Sequence, residues 1–384
     1  VTRATILLAA GGTGGHLFPA EALARALLER GHRPVLVTDR RGGAFAGLPE
    51  VEVERIRSAT VMPGVAGKAR TAVELAVGAL QAAALIRRLR PAAAVGFGGY
   101  PSLPTVYAAG RAGVPVVLHE QNAVLGRANR LLAGRARRIC TSFDAVAGLS
   151  AADAAKAVRT GNPVRPAIAA LRARAYAAPA EDGPFRLLVT GGSQGAAVFS
   201  EVVPAAVARL PEGLRRRLVV AQQARAETLD AARAAYDGLG VSAELSPFFS
   251  DMDARLAAAH LVVCRGGAST VAELAVAGRP AVLVPYPHAI ADEQTANAEA
   301  FAAAGGGWAV PQPAFTADAL AARIETLAAA PARLAEAAAR AHAFGLPDAA
   351  ERLADEALGA AGLSGGAAPP APGAARDDAR EEAA

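Results

Sequence analysis

The sequence predicts an α/β chain of two Rossmann-like lobes facing each other across a cleft, and three observations carry that prediction. An apolar run, Ile6-Leu7-Leu8-Ala9-Ala10, leads through Gly11-Gly12-Thr13-Gly14-Gly15-His16 into a helical pattern of Leu17, Ala20, Leu23, Ala24, Leu27 and Leu28. The same order returns at Phe185-Arg186-Leu187-Leu188-Val189-Thr190, which runs into Gly191-Gly192-Ser193-Gln194-Gly195 and a second helix. At 384 residues the chain is too long for one comfortable core and long enough for two α/β domains. Gly161-Asn162-Pro163-Val164-Arg165-Pro166 reads as the linker between them, because its two prolines bracket a pair that cannot continue a helix. The boundary falls at 161/162.

The first strand, glycine turn and helix form a phosphate cradle. Glycines let the backbone approach a ligand closely, and the first N–H groups of a helix present partial positive charge to an anion. An ordinary tight turn between strand and helix fits the glycines alone about as well. The dinucleotide fingerprint fails, because its third glycine falls on Leu17. Asp39, after the run Val35-Leu36-Val37, therefore reads as a strand-end residue rather than a ribose acid.

Strand signals follow at 51–56, then a glycine-containing loop and Lys68-Ala69-Arg70. The mostly apolar stretch from Thr71 to Ile86 ends in Arg87-Arg88-Leu89-Arg90. With Glu74 and Gln81 inside it, this stretch reads as too short and too polar to span a bilayer. As a helix it packs on the sheet, with one edge free to lie on a membrane surface. Ala93-Ala94-Val95 opens into Gly96-Phe97-Gly98-Gly99-Tyr100-Pro101, and Val116-Val117-Leu118 ends in His119-Glu120-Gln121-Asn122. Polar residues at the carboxyl ends of parallel strands are site candidates, and helix capping is the plainer alternative for Glu120 and Asn122.

In the second half, Asp251-Met252-Asp253 reads as helix-opening acids after Ser250 rather than as a metal-diphosphate site. Leu261-Val262-Val263-Cys264 is a strand that turns at Arg265-Gly266-Gly267 into a helix, where Thr270 and Glu273 fit a capping box. Ala281-Val282-Leu283-Val284 is another strand, leading to His288 and then to Asp292-Glu293-Gln294. Helices are expected over 315–342 and 348–358. Residues 359–384, rich in Ala, Pro and Gly, read as a disordered tail.

Charge is uneven along the chain. Residues 1–161 carry +11, residues 162–358 carry −4 and the remainder −2. A basic front lobe points to an anionic surface, and the absence of a nucleic-acid motif favours membrane lipids over nucleic acid. Cys140 and Cys264, far apart and each ending an apolar run, read as small buried hydrophobes. No apolar run reaches spanning length, and Val1-Thr2-Arg3 leads straight into a strand, so neither a signal peptide nor a spanning helix is expected.

Six ordered motifs give the chain a resemblance to a known family from about residue 5 to residue 358. They are Gly-Gly-Thr-Gly-Gly-His at 11–16, Gly-Gly-Tyr at 98–100, His-Glu-Gln-Asn at 119–122, Gly-Asn-Pro-Val-Arg at 161–165, Gly-Gly-Ser-Gln-Gly-Ala at 191–196, and Glu273 with Gln294 in their local contexts. On these the chain resembles the MurG family, bacterial glycosyltransferases of family 28. The resemblance implies the GT-B architecture, with an acceptor lobe at 1–161, a UDP-sugar lobe at 162–344, and a last helix, about 345–358, returning to the first lobe. It implies inverting transfer of N-acetylglucosamine from UDP-GlcNAc to the 4-hydroxyl of MurNAc in undecaprenyl-pyrophosphoryl-MurNAc-pentapeptide, with no cofactor or metal. Carried over by position, it assigns donor contacts to Thr13, Gly14, Gly15, Asn122, Arg165 and Ser193. It adds the uracil-contacting backbone at Phe249, the loop Ala268, Ser269, Thr270, Val271, Ala272 and Glu273, with Glu273 on the ribose hydroxyls, and Gln294 on the sugar. Gly266 departs from the Ser or Ala frequent in the family, and Glu293-Gln294 from its Gln-Gln pair.

A general base must take the acceptor proton. His16, with an ordinary pKa near ~6.5, suits neutral pH, and Glu120 is the other candidate. Since the acceptor is anchored in lipid, the expected location is peripheral, on the cytoplasmic face of the membrane. Lys68, Arg70, Arg87 and Arg88 would meet anionic inner-leaflet lipids there. A UDP-GlcNAc 2-epimerase, a nicotinamide oxidoreductase and a non-catalytic nucleotide-sugar binder are the competing readings. Lipid-acceptor dependence separates the first and third from a transferase, and the missing third glycine weighs against the second.

Overall fold

The computed structural model describes residues 3–11, 14–40, 48–60, 63–192 and 195–363. Within them the strands assemble into two parallel sheets. The first holds β1 (Thr5–Ala9), β2 (Arg33–Thr38), β3 (Glu52–Arg55), β4 (Ala93–Gly96), β5 (Val116–Glu120), β6 (Arg138–Thr141) and β7 (Ala157–Arg159), in the order β3-β2-β1-β4-β5-β6-β7. The second holds β8 (Phe185–Thr190), β9 (Leu218–Gln223), β10 (Ser242–Ser246), β11 (Leu261–Cys264), β12 (Ala281–Leu283) and β13 (Gly307–Ala309), in the order β10-β9-β8-β11-β12-β13. The lobes are Rossmann-like, and the chain is α/β throughout.

Both sheets are covered on two faces, which is why their central strands read as unbroken apolar runs. Along β1, Ile6 and Leu8 meet Leu23 and Leu27 of α1 (Gly14–Glu29), while Leu7 and Ala9 face the opposite way. That second face is closed by Leu85 and Ile86 of α2 (Val65–Leu89) and Val106 of α3 (Leu103–Arg111). The edge strands β7, β10 and β13 have no fully buried residue. The sequence shows no strand signal for β6, β7, β10 or β13, because strands this short or half-exposed leave little hydrophobic pattern.

Each sheet reverses its strand order once, between β1 and β4 and between β8 and β11. Ile6 lies beside Ala93 on one side and Pro34 on the other, and Leu188 plays the equivalent part between Ala221 and Val262. Ligands of open parallel sheets settle at such reversals, outside the carboxyl ends of the strands. Here those ends are the turns after β1, β4, β8 and β11, which are the glycine-rich ones.

The chain passes between the lobes at residues 160–165 and again at 345–348. The Pro331–Phe344 helix packs on the Ala268–Ala277 helix of the second lobe. The next helix, Ala349–Ala360, lies on α1 and β4–β6 of the first, burying Leu353, Ala354, Ala357 and Leu358. Arg159 ties the two passages together, donating to the Phe344 carbonyl at 2.8 Å with its guanidinium 4.8 Å from the Phe344 ring. This helix outlasts the expected end at 358, and Leu363 still packs against the core. Residues 364–384, the bulk of the segment read as a tail, lie outside the described residues.

The expectation that no segment reaches spanning length is corrected by α2. The apolar stretch 71–86 is the middle of a helix of 25 residues that is long and apolar enough, by length and composition alone, to cross a membrane. Its contacts are those of a lobe helix. Thr71, Gly78, Ala82, Leu85 and Ile86 are buried, and Gln81 Oε1 accepts the Arg57 backbone N–H at 2.8 Å. Its other side is open, with Val65, Val73 and Leu80 exposed.

Candidate active site

In the first lobe, α1 begins at Gly14 and places His16 within its first turn. The half-buried His16 ring lies against the backbone of Gly98 and Gly99, after β4, so close that a Cβ on Gly99 would stand 3.4 Å from its Nε2. The ring is near the Gln121 side chain and the Phe97 carbonyl, and its Nδ1 is buried with no partner in hydrogen-bond geometry among the described residues. Burial holds its pKa below the ordinary histidine value, opposed by those two neighbours. His16 is therefore a neutral imidazole at pH 7.

Beside it, the end of β5 holds a polar network. Glu120 is 1 % exposed, and its two oxygens are saturated with N–H donors. Oε1 accepts from the Asn122 backbone at 3.1 Å and from Asn122 Nδ2 at 3.3 Å. Oε2 accepts from the Gly126 backbone at 2.9 Å and from Asn129 Nδ2 at 2.8 Å. Burial pushes this carboxyl above the usual carboxylate range, and the four donors pull it back. Glu120 thus folds the 120–126 loop around itself, and the helix beginning at Arg127 is capped by Gly126.

His119 is fully buried, and burial lowers its pKa to about 4. Its Nε2–H donates to the Gly161 carbonyl at 2.9 Å, and its Nδ1 accepts from Gln121 Nε2 at 3.0 Å. That tautomer follows from the partners, since a carbonyl only accepts and an amide nitrogen only donates. Gln121 Nε2 also donates to the Phe97 carbonyl at 3.0 Å, so the neighbour of the His16 ring is fixed through His119 to the interlobe linker.

In the second lobe, the Ala268–Ala277 helix leaves β11 with Gly267 as its N-cap. The capping-box reading of Thr270 and Glu273 is corrected by this, because Thr270 lies three residues inside the helix. Glu273 instead faces Arg165 from the linker, whose Nε and Nη2 stand 3.0 and 2.9 Å from Oε1. The N–H groups of the first helical turn, at Ala268, Ser269 and Thr270, lack intrahelical partners, the arrangement that suits an anion at a helix start. Gln294 Oε1 accepts the Tyr286 backbone N–H at 3.0 Å. Gly266 has a steric reason here, since a Cβ would stand 2.4 Å from the Gln294 carbonyl oxygen. The glycine turn after β8 is shaped by Gln223, which accepts from Gly191 N at 3.2 Å and donates to the Gly192 carbonyl at 3.0 Å.

Phe249 is buried beneath the Arg255 guanidinium, 3.7 Å from its ring centroid. The same guanidinium bonds Glu244 at 2.6 Å and Asp251 at 2.8 Å. Asp251 holds the N-cap position without a side-chain cap bond, so its carboxylate serves Arg255 rather than the helix end expected for it, and Ser250 is not the cap. Asp253 stands in the first turn.

The structure brings His16, Gly15, Glu120 and Asn122 together on the first lobe and Arg165, Glu273, Ala268–Ala272 and Gln294 on the second. Thr13 and Ser193 lie outside the described residues. Across the gap, Asn122 Oδ1 accepts from Asn297 Nδ2 at 3.1 Å. Asn297, Gln223 and Asn129 escaped the sequence analysis; a buried amide is recognised by its partners, and no local spacing announces them.

Both lobes resemble known proteins. Residues 6–141 match the glycosyltransferase family 28 N-terminal domain, and residues 186–353 match the glycosyltransferase family 28 C-terminal domain. A protein of Rhodospirillum centenum is 66% identical over 371 residues, covering 96% of this chain and 98% of its own length. A Paramagnetospirillum magneticum protein is 55% identical, covering 92% and 96%. Both are named UDP-N-acetylglucosamine--N-acetylmuramyl-(pentapeptide) pyrophosphoryl-undecaprenol N-acetylglucosamine transferase. The crystal structure of Acinetobacter baumannii MurG superposes with a TM-score of 0.76 at 29% identity, over 93% of this chain and 99% of that one.

Proposed function

We infer the reaction from one premise: the chain belongs to glycosyltransferase family 28. It is an N-acetylglucosamine transferase of GT-B fold that uses UDP-GlcNAc and a lipid-linked muramoyl peptide, the substrates its relatives' shared name describes. The observation that carries a cleft mechanism is the pairing of glycine-rich turns at the two sheet reversals, one beside His16 and one beside Arg165 and Glu273.

In the mechanism we propose, the neutral His16 imidazole takes the proton of the MurNAc 4-hydroxyl. The oxygen forms its bond to the anomeric carbon from the face opposite UDP, the carbon–diphosphate bond breaks, and the configuration inverts. Charge developing on the departing UDP is met by N–H groups at the helix beginning at Ala268 and by the turn after β8. Gly14 and Gly15 form the corresponding turn of the first lobe. Glu120 keeps the 120–126 loop in shape, Glu273 meets the ribose hydroxyls, Gln294 the sugar, and the backbone at Phe249 the uracil. Asn122 and Arg165 complete the donor contacts, with Thr13 and Ser193 carried over from the resemblance.

The acceptor is lipid-anchored, and we place the protein peripherally at the cytoplasmic face. Support comes from the basic first lobe and the exposed apolar edge of α2, flanked by Lys68 and Arg70 at one end and Arg87 and Arg88 at the other. Each basic residue near an anionic surface contributes roughly 1 kcal/mol. Purified protein incubated with labelled UDP-GlcNAc, the muramoyl lipid and a chelator is expected to yield a labelled disaccharide lipid. UDP-GlcNAc consumption without the lipid acceptor would overturn the transferase reading in favour of an epimerase.

A further inference from the structure

Asn297 lies one helical turn beyond Gln294 and is fully buried. Both hydrogens of its amide are spent: Nδ2 donates to the Gly266 carbonyl at 3.0 Å and to Asn122 Oδ1 at 3.1 Å. Its Oδ1 accepts the Ala123 backbone N–H at 2.8 Å. Two of these bonds cross the cleft and one stays in the second lobe. A flipped amide would set its NH2 against the Ala123 N–H, donor facing donor, so the orientation is dictated by the partners.

These partners belong to the two halves of the site. Gly266 opens the turn into the Ala268–Ala277 helix, which receives the leaving diphosphate. Asn122 and Ala123 begin the loop that Glu120 organises beside His16, with Glu120 Oε1 accepting from Asn122 N at 3.1 Å. A continuous chain therefore runs from the Gly266 carbonyl through Asn297 and Asn122 to Glu120. We propose that Asn297 is a positioning residue that registers the sugar-donor turn against the base-bearing lobe. It acts on the transfer step and not on donor binding. This inference rests on the transferase reading above.

The chemistry explains why an amide is needed. Asparagine supplies two donors and an acceptor in one plane, whereas aspartate of the same shape sets an oxygen against Gly266 O and Asn122 Oδ1, acceptor facing acceptor. Misplacement of the reacting groups by about 1 Å costs on the order of 100-fold in rate. The test uses the full chain as wild type, Asn297→Asp and Asn297→Ser, measuring lipid-acceptor transfer, UDP affinity by calorimetry, and thermal melting. We expect kcat to fall about 100-fold in Asn297→Asp with UDP affinity nearly unchanged and melting lowered by the buried repulsion, and Asn122→Ala to cost less in that background than in wild type.

Asn297→Ser, which removes one donor without introducing a repulsion, is expected to fall between wild type and Asn297→Asp. It carries the test should the aspartate variant fail to fold. Unchanged kcat in the folded variants overturns the proposal. So does a loss of UDP affinity that matches the loss of turnover, since that is the signature of damage to the second lobe alone. A wild-type protein that binds UDP but transfers nothing would instead overturn the transferase reading, and the positioning role with it.

Discussion

His16 and His119 are both uncharged at neutral pH, yet their surroundings assign them opposite work. His16 is half-buried against Gly98 and Gly99, which suits the base role proposed for it, whereas His119 has both ring nitrogens committed to Gly161 and Gln121. His16→Ala is expected to lower transfer by about 10²–10⁴-fold, the usual contribution of a positioned base, with UDP affinity retained. Because burial lowers the His16 pKa, kcat/KM in the wild type should stay flat on descending through pH ~6.5 and fall only below it. An acid limb above the ordinary histidine value would contradict this assignment.

His119 gives a stability prediction whose sign follows from its depressed pKa of about 4. The unfolded chain protonates this ring below pH ~6.5 while the folded chain does not, so stability is fully present above that pH and is lost as pH falls toward 4. The linkage is worth roughly 3 kcal/mol across the window as an order of magnitude. Urea unfolding at pH 7.5 and pH 5 should show the drop in wild type and a smaller one in His119→Gln. Both histidines were visible in the sequence as strand-end or turn residues, and so was Glu120. Their division of labour was not, because it depends on whether a ring nitrogen bonds Gly161, some 42 residues away, or is left without a partner among the described residues.

Among the elements, α2 carries the most consequence. Its inner side approaches the end of β3 so closely that a Cβ at Gly78 would stand 1.9 Å from the Arg57 carbonyl oxygen. Gly78→Ala is therefore expected to destabilise the protein by about 2 kcal/mol or more, the scale of overpacking, despite alanine's better helix propensity. An unchanged melting temperature would contradict that contact. The outer side, Val65, Val73 and Leu80, contributes little to the fold. The double substitution Val73→Glu with Leu80→Glu should leave melting nearly unchanged while abolishing co-sedimentation with anionic vesicles. Wild-type binding that ignored both lipid charge and salt would count against the docking role. The sequence showed this helix as apolar with basic ends, but its full length and the inward direction of Gly78 emerge only against β3. Central strands such as β1, β4 and β8 were legible as apolar runs; the edge strands β7 and β13 were not, since half-exposed residues carry no such mark.

For the whole molecule, the two Rossmann-like lobes were legible because a strand, a glycine turn and a helix recur at 5–29 and 185–207, separated by a proline-bracketed linker. The interlobe contacts were not. Asn297 with Asn122 and Arg159 with Phe344 join residues more than a hundred positions apart, as Arg165 with Glu273 does within the second lobe, and no local pattern specifies them. These contacts make the cleft a defined space rather than a gap between two domains.

The central claim is that one UDP-GlcNAc molecule is held by turns from both lobes at once. Backbone amide exchange of the full chain, with and without UDP-GlcNAc, tests it most directly. The account predicts slowed exchange in the 266–273 and 191–196 turns of the second lobe together with the 97–101 and 119–123 turns of the first. Protection confined to one lobe, or lying away from these turns, would contradict it.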